Sequence, residues 1–183
     1  MSHAPVFLDT VRVLTTWRPD DAQQEDLRGD YLAFLDAHDN GVFRECRIGH
    51  ITASAIVVDA ARSHVLLTLH PKVGRWLQLG GHIEQGDESL QAAAMREMHE
   101  ESGLPDGLIS RHPLRLDRHP VPCGPGQMSE HLDVQFGVEV PEIFEPVVSE
   151  ESLDLRWFPI DGLPDDVDAS VQALVDSATH WRN

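Results

Sequence analysis

Residues 80–104 constrain the chain most. Gly80-Gly81-His82-Ile83-Glu84-Gln85-Gly86-Asp87-Glu88-Ser89 runs into Leu90-Gln91-Ala92-Ala93-Ala94-Met95, then Arg96-Glu97-Met98-His99-Glu100-Glu101-Ser102-Gly103-Leu104. A glycine loop opening a helix is expected, with Asp87 or Glu88 at the helix start and Gly103 as its C-terminal stop. Glu97, Glu100 and Glu101 stand three and four residues apart, which brings them to one flank of that helix. Leu90, Ala94 and Met98 form an apolar arc, and Glu97 and Glu101 fall along its edge. Acids that only keep a helix soluble would face away from such an arc. Acids at the border of a core lose water and need a counter-charge. A hard, oxygen-binding divalent ion such as Mg²⁺ is the natural partner, and it points to phosphate chemistry.

The 183 residues suffice for one domain with additions at its ends. The net charge of −17 excludes a nucleic-acid backbone as the general partner. A small anionic substrate stays open, because a bound metal inverts the local sign. Two cysteines, Cys46 and Cys123, make no disulfide framework, so a reduced cytoplasmic setting is expected. Neither a signal peptide nor a membrane span is read in the sequence.

Residues 1–48 read as an N-terminal helical extension, with a helix over about 22–38 capped by Asp20 or Asp21 and stopped at Asp39-Asn40-Gly41. Residues 49–183 read as the main domain. Strands are expected over 51–58 and 64–69, with a turn between them and a short third strand over 76–79. Residues 107–117 and 131–140 suggest a further strand pair, and Pro120 to Gly126 is too rich in breakers for regular structure. A last strand over 153–158 and a helix over about 165–181 complete an α/β (α+β) sandwich with one mixed central sheet.

The segment from Gly81 to Leu104 resembles the Nudix box: Gly81, an acid, seven residues, Arg96-Glu97, Met98, Glu100-Glu101, Gly103 and Leu104. Six residues rather than five separate Gly81 from Glu88. Either Asp87 takes the acidic position or the loop has gained a residue, and the longer loop is preferred because Glu88 keeps the helical register to Arg96. A second departure is Leu79, where many relatives carry proline. The resemblance implies a Nudix-like α/β/α sandwich and a pyrophosphohydrolase that needs Mg²⁺, or Mn²⁺ in its place. By the same resemblance Glu97, Glu101, Glu100 and the Gly81 carbonyl become metal ligands. Arg96 would hold Glu97 by a charged hydrogen bond, and Glu88 would support the helix start. The general base is Glu97 or Glu151, the latter preceding Leu153-Asp154-Leu155-Arg156-Trp157. Lys72, Arg75 and His82 are candidates for contact with substrate.

The implied substrate is a nucleoside diphosphate derivative or a nucleoside triphosphate, with a homodimer as the default assembly. Two other readings compete. One is a non-catalytic Nudix-like module that senses a nucleotide, although such modules usually have a degraded box. The other is a relative of isopentenyl-diphosphate isomerase, because His50, His82 and His131 echo its histidines. Gly80 stands where that enzyme has its cysteine, which weighs against isomerase chemistry. Trp76, Trp157 and Phe158 read as core aromatics.

Overall fold

The computed structural model describes residues 4–122, 128–149 and 152–182. Two helices come first, α1 (Pro5–Thr16) and α2 (Ala22–Ala37). They precede β1 (His50–Asp59), β2 (His64–His70), β3 (Arg75–Leu77), β4 (Leu79–His82) and α3 (Leu90–Ser102). The order ends with β5 (Leu108–Ile109), β6 (Arg115–Pro122), β7 (Met128–Val140), β8 (Asp154–Pro159) and α4 (Ala169–His180). None of these helices is long and apolar enough to cross a membrane.

The strands form one mixed, eight-stranded sheet around β1. One edge of β1 is divided between two antiparallel partners. Its C-terminal half pairs with β2, and its N-terminal half pairs with β4. The other edge runs parallel to β7 along its whole length, from His50 opposite His131 to Asp59 opposite Val140. β6 and β5 pair with β7 beyond, and β8 and β3 pair with β2.

Side chains alternate across a strand, so β1 serves two layers. Ile51, Ala53, Ala55 and Val57 enter a core shared with α1, α2 and α3. Ile56 and Val58 enter a second core under α4, with Val171, Leu174 and Trp181. The expected sandwich is the fold observed. On the α4 side, His50, Thr52 and Ser54 carry the same face of β1 beyond the apolar residues, and they lie in the part of the sheet that holds the site.

Several boundaries differ from the sequence reading. Helix α1 was not expected. The third strand is two strands, β3 and β4, with separate partners. β6 continues through Pro120 and Pro122, paired with Glu130 and Met128. Proline is tolerated there because β6 is an edge strand, where alternate N–H groups face away from the ladder. α4 begins at Ala169, with Asp168 accepting from the Ser170 and Val171 amides.

Candidate active site

The box helix starts later than expected. Ser89 is its N-cap, accepting from Ala92 N at 3.1 Å, and the Leu90 amide donates to Asp9 Oδ2 of α1 at 3.0 Å. Glu88 is exposed and stands one residue before the cap. Gly103 ends the helix with φ 64°, the left-handed conformation that glycine takes without strain.

The acid that meets Arg96 is Asp87, the other of the two positions that the sequence offered. Arg96 Nε donates to Asp87 Oδ1 at 3.0 Å and Nη2 donates to Oδ2 at 2.9 Å. The local cause is a tight turn, in which Asp87 N donates to Glu84 O and Glu84 N donates to Asp87 Oδ2. That turn aims a short side chain back at the helix. Burial pushes the Asp87 carboxyl up, but the bonds from Arg96 and the Glu84 amide hold it below its ordinary value. The Asp87 bond in turn raises the Arg96 pKa against the opposing effect of burial.

Arg96 reaches three further acceptors. Nη1 donates to Glu97 Oε1 and to Glu100 Oε2, both at 3.0 Å, and Nη2 donates to the His82 carbonyl at 2.9 Å. The counter-charge expected among the box acids is therefore supplied in part by this guanidinium. Glu97 is buried, whereas the Glu100 side chain is 59% exposed and Glu101 is half-buried. Gly81 lies against Glu97: a Cβ at that position would sit 2.7 Å from the carboxylate carbon and from both oxygens. Only glycine lets this acid approach the main chain of β4 so closely.

The opposite face of β4 and its neighbours carries the histidines. His50, His82 and His131 come from β1, β4 and β7, with one ring nitrogen from each within 4.8 Å of the others. Burial and neighbouring charge keep the His82 pKa at about 4 and the His131 pKa at about 3, so both rings are neutral at pH 7. Beside them Asp133 is fully buried. It accepts from Thr52 Oγ1 at 2.8 Å, Ser54 Oγ at 2.6 Å, Gln135 Nε2 at 3.1 Å and Gln78 Nε2 at 3.2 Å. Burial raises its pKa against these bonds. His119 of β6 accompanies the group, its Nδ1 2.7 Å from Asp117 Oδ2, a bond that raises its pKa.

The sequence reading singled out His50, His82 and His131 but missed the network that joins Asp133 to Thr52, Ser54, Gln78 and Gln135. The signal was present as alternation in two buried strands: His50, Thr52 and Ser54 in β1, and His131, Asp133 and Gln135 in β7.

Lys72 is exposed in the β2–β3 turn, close enough for its charge to act on His82. Arg75 is exposed at the first position of β3. Glu151, Glu150 and Cys123 lie outside the described residues. Gly80 has φ 153°, and a Cβ there would lie 2.5 Å from Ser54 Oγ. No side chain fits, and an isomerase-like thiol has no place at this position. Trp76 is buried under α4 with Phe158, and Trp157 donates through Nε1 to Phe144 O at 2.9 Å, as suits core aromatics.

A family model described as the NUDIX domain matches residues 49–176. Among solved structures, the MutT NUDIX hydrolase from Burkholderia pseudomallei is 22% identical over 69% of this chain and 95% of its own, with a TM-score of 0.54. The E. coli dihydroneopterin triphosphate pyrophosphohydrolase is 17% identical over 69% of this chain and 92% of its own, with a TM-score of 0.54. The NUDIX domain of Shewanella oneidensis NrtR, solved with ADP ribose, is 18% identical over 80% and 94%, with a TM-score of 0.53. No curated protein matches the sequence. At these identities the structures speak to the fold, and the domain match over most of the chain speaks to descent. The chain belongs to the NUDIX domain family.

Proposed function

We propose that the chain is a divalent-metal-dependent hydrolase of a phosphoanhydride bond in a nucleoside diphosphate derivative or a nucleoside triphosphate, with water attacking phosphorus. The observation that carries this reading is the Arg96 clamp, which fixes Asp87, Glu97, Glu100 and the His82 carbonyl as one unit. The carboxylate type suits a hard ion, and the Glu97 carboxylate lies against Gly81 of β4 with no side chain between them. Glu97 and Glu101, with Glu100 and the Gly81 carbonyl, would hold Mg²⁺ or Mn²⁺. When bound, such an ion neutralises a diphosphate and lowers the pKa of water.

The protein's own groups do the rest. Arg96 orients Glu97, which accepts the proton of the attacking water, with Glu151 as the other candidate base. Lys72 and Arg75 supply positive charge for substrate phosphates in a strongly acidic chain. His82, neutral at pH 7, offers substrate a hydrogen bond rather than a charge. The ADP ribose held by the NrtR domain supports a nucleotide as the substrate class. The free, buried thiol of Cys46 supports a cytoplasmic setting, and a homodimer is the assembly to test by gel filtration.

The test is a panel of nucleotides and nucleoside diphosphate derivatives, assayed with Mg²⁺ and with Mn²⁺ for phosphate-containing products. Glu97→Gln should lower kcat by about 10³-fold while leaving the melting temperature near that of wild type. Full activity in that variant would reject the role given to Glu97. An inert wild type whose melting temperature still rises with a nucleotide would favour the sensing module.

A further inference from the structure

We propose that His50, His82 and His131 form a second metal site, separate from the box carboxylates, that takes a borderline transition ion of the Zn²⁺ class through three imidazole nitrogens and leaves a further coordination position open. The site is built by strand register. His50 and His131 are direct partners across the parallel β1–β7 pair, and His82 pairs with Thr52, two residues further along β1. The three rings form a near-regular triangle, with centroids 4.9, 5.0 and 5.2 Å apart. Their nearest nitrogens lie within 4.8 Å of one another, so a central point is no more than about 2.8 Å from each. Zn–N bonds of about 2.0–2.1 Å need only a slight drawing-in of the rings.

A second observation is independent of that spacing. His50 is 2% exposed, and its Nε2 is buried with no hydrogen-bond partner in the protein. Its Nδ1 faces the Cys46 carbonyl at 3.4 Å, an arrangement that places the proton on Nδ1 and leaves the Nε2 lone pair bare. A ring whose far N–H meets a backbone carbonyl is the usual setting of a metal-bound histidine.

The surroundings select the kind of ion. Asp133, the nearest fully buried acid, is committed to Thr52, Ser54, Gln78 and Gln135, so the donor set is nitrogen rather than oxygen. Three neutral imidazoles suit Zn²⁺, Co²⁺ or Ni²⁺ and disfavour Mg²⁺. His119, 5.4 Å from His131 between ring centroids, is tied to Asp117. The site is also distinct from the box by geometry. Side chains alternate along β4, so His82 faces away from the side on which Gly81 meets Glu97. Three protein ligands leave room for a water or a substrate oxygen, through which a ligating His82 would still meet the substrate.

The full-length protein, stripped with a chelator and returned to buffer with excess Mg²⁺, should bind one equivalent of Zn²⁺ in calorimetry. Co²⁺ in the same position should give the visible absorption of nitrogen coordination. His50→Gln and His131→Gln should each weaken Zn²⁺ binding by at least about 100-fold, since even loss of a partner behind a ligand costs 10–100-fold. Glu101→Gln should leave it unchanged. Unaltered affinity in both histidine variants, or loss of binding in Glu101→Gln, would overturn the proposal, as would wild type that takes up no Zn²⁺. Wild type also gives an answer free of mutation: Zn²⁺ should shift the imidazole ¹⁵N resonances of these three histidines, and shifts confined to other histidines would refute the site. Zn²⁺ binding and Mg²⁺-dependent hydrolysis are separate readouts, so either can fail alone.

Discussion

Arg96 holds in one fork what a single point charge cannot. Its guanidinium donates to Asp87 through two nitrogens, to Glu97 and Glu100 through a third contact point, and to the His82 carbonyl. Arg96→Ala leaves a partly buried Asp87 and a buried Glu97 without that donor. A loss of about 1–3 kcal/mol in urea unfolding is expected, together with loss of hydrolysis because Glu97 is no longer oriented. Arg96→Lys keeps the charge without the planar fork, and should recover less than half of the lost stability. The same contact sets an acid limb. The Asp87 carboxyl lies below its ordinary 3.8 when folded, so its contribution is complete above that value and is lost as pH falls through the folded value. Wild type should therefore lose stability more steeply below about pH 4 than Asp87→Asn does, which denaturant midpoints at pH 3 and pH 7 would measure.

At the scale of elements, the box helix shows what could be read and what could not. Its end was readable, because Gly103 is the local signal and φ 64° is its physical content. Its start was not, since Asp87 and Ser89 are both capping residues by type, Glu88 suits a helix start by its charge, and only the fold decides among them. Asp87 is drawn off by Arg96, Glu88 is left exposed, and Ser89 caps. Ser89→Ala should cost about 1 kcal/mol, whereas Glu88→Gln should stay within about 0.5 kcal/mol of wild type, both read from denaturant midpoints. Helix α1 escaped notice for a related reason: Ala4 offers no capping side chain, and no acid stands in its first turn. β6 was misjudged because prolines read as breakers unless the strand is known to lie at an edge. The box acids announced themselves by spacing within one helix. The histidine triangle depends on register among three strands, which no local pattern encodes.

For the molecule as a whole, the matched domain begins at residue 49, yet its core does not. Val6, Phe7, Val13, Leu14, Trp17, Tyr31 and Leu35 are buried with Ile51, Ala53, Leu90 and Met98 in one cluster. Polar ties follow the apolar ones. The Gln24 side chain completes both backbone bonds of Leu116, Tyr31 donates to the Asp117 carbonyl at 2.7 Å, and Asp9 takes the first amide of the box helix. Residues 4–48 therefore act as a wall of the sandwich, although the family signal does not reach them. Removing them would expose the sheet face under α1 and α2 and leave the Leu90 amide without its acceptor. A chain of residues 49–183 should melt without a cooperative transition or aggregate on expression. Asp9→Ala, which removes the Leu90 bond and an ion pair with the exposed Arg12, should cost about 1 kcal/mol and still fold. If 49–183 instead melts cooperatively at the temperature of the full chain, the two helices carry none of its stability. The apolar contact between them and the sheet would then be incidental to the fold, and the position of the box helix would have to be set by β1 and β4 alone.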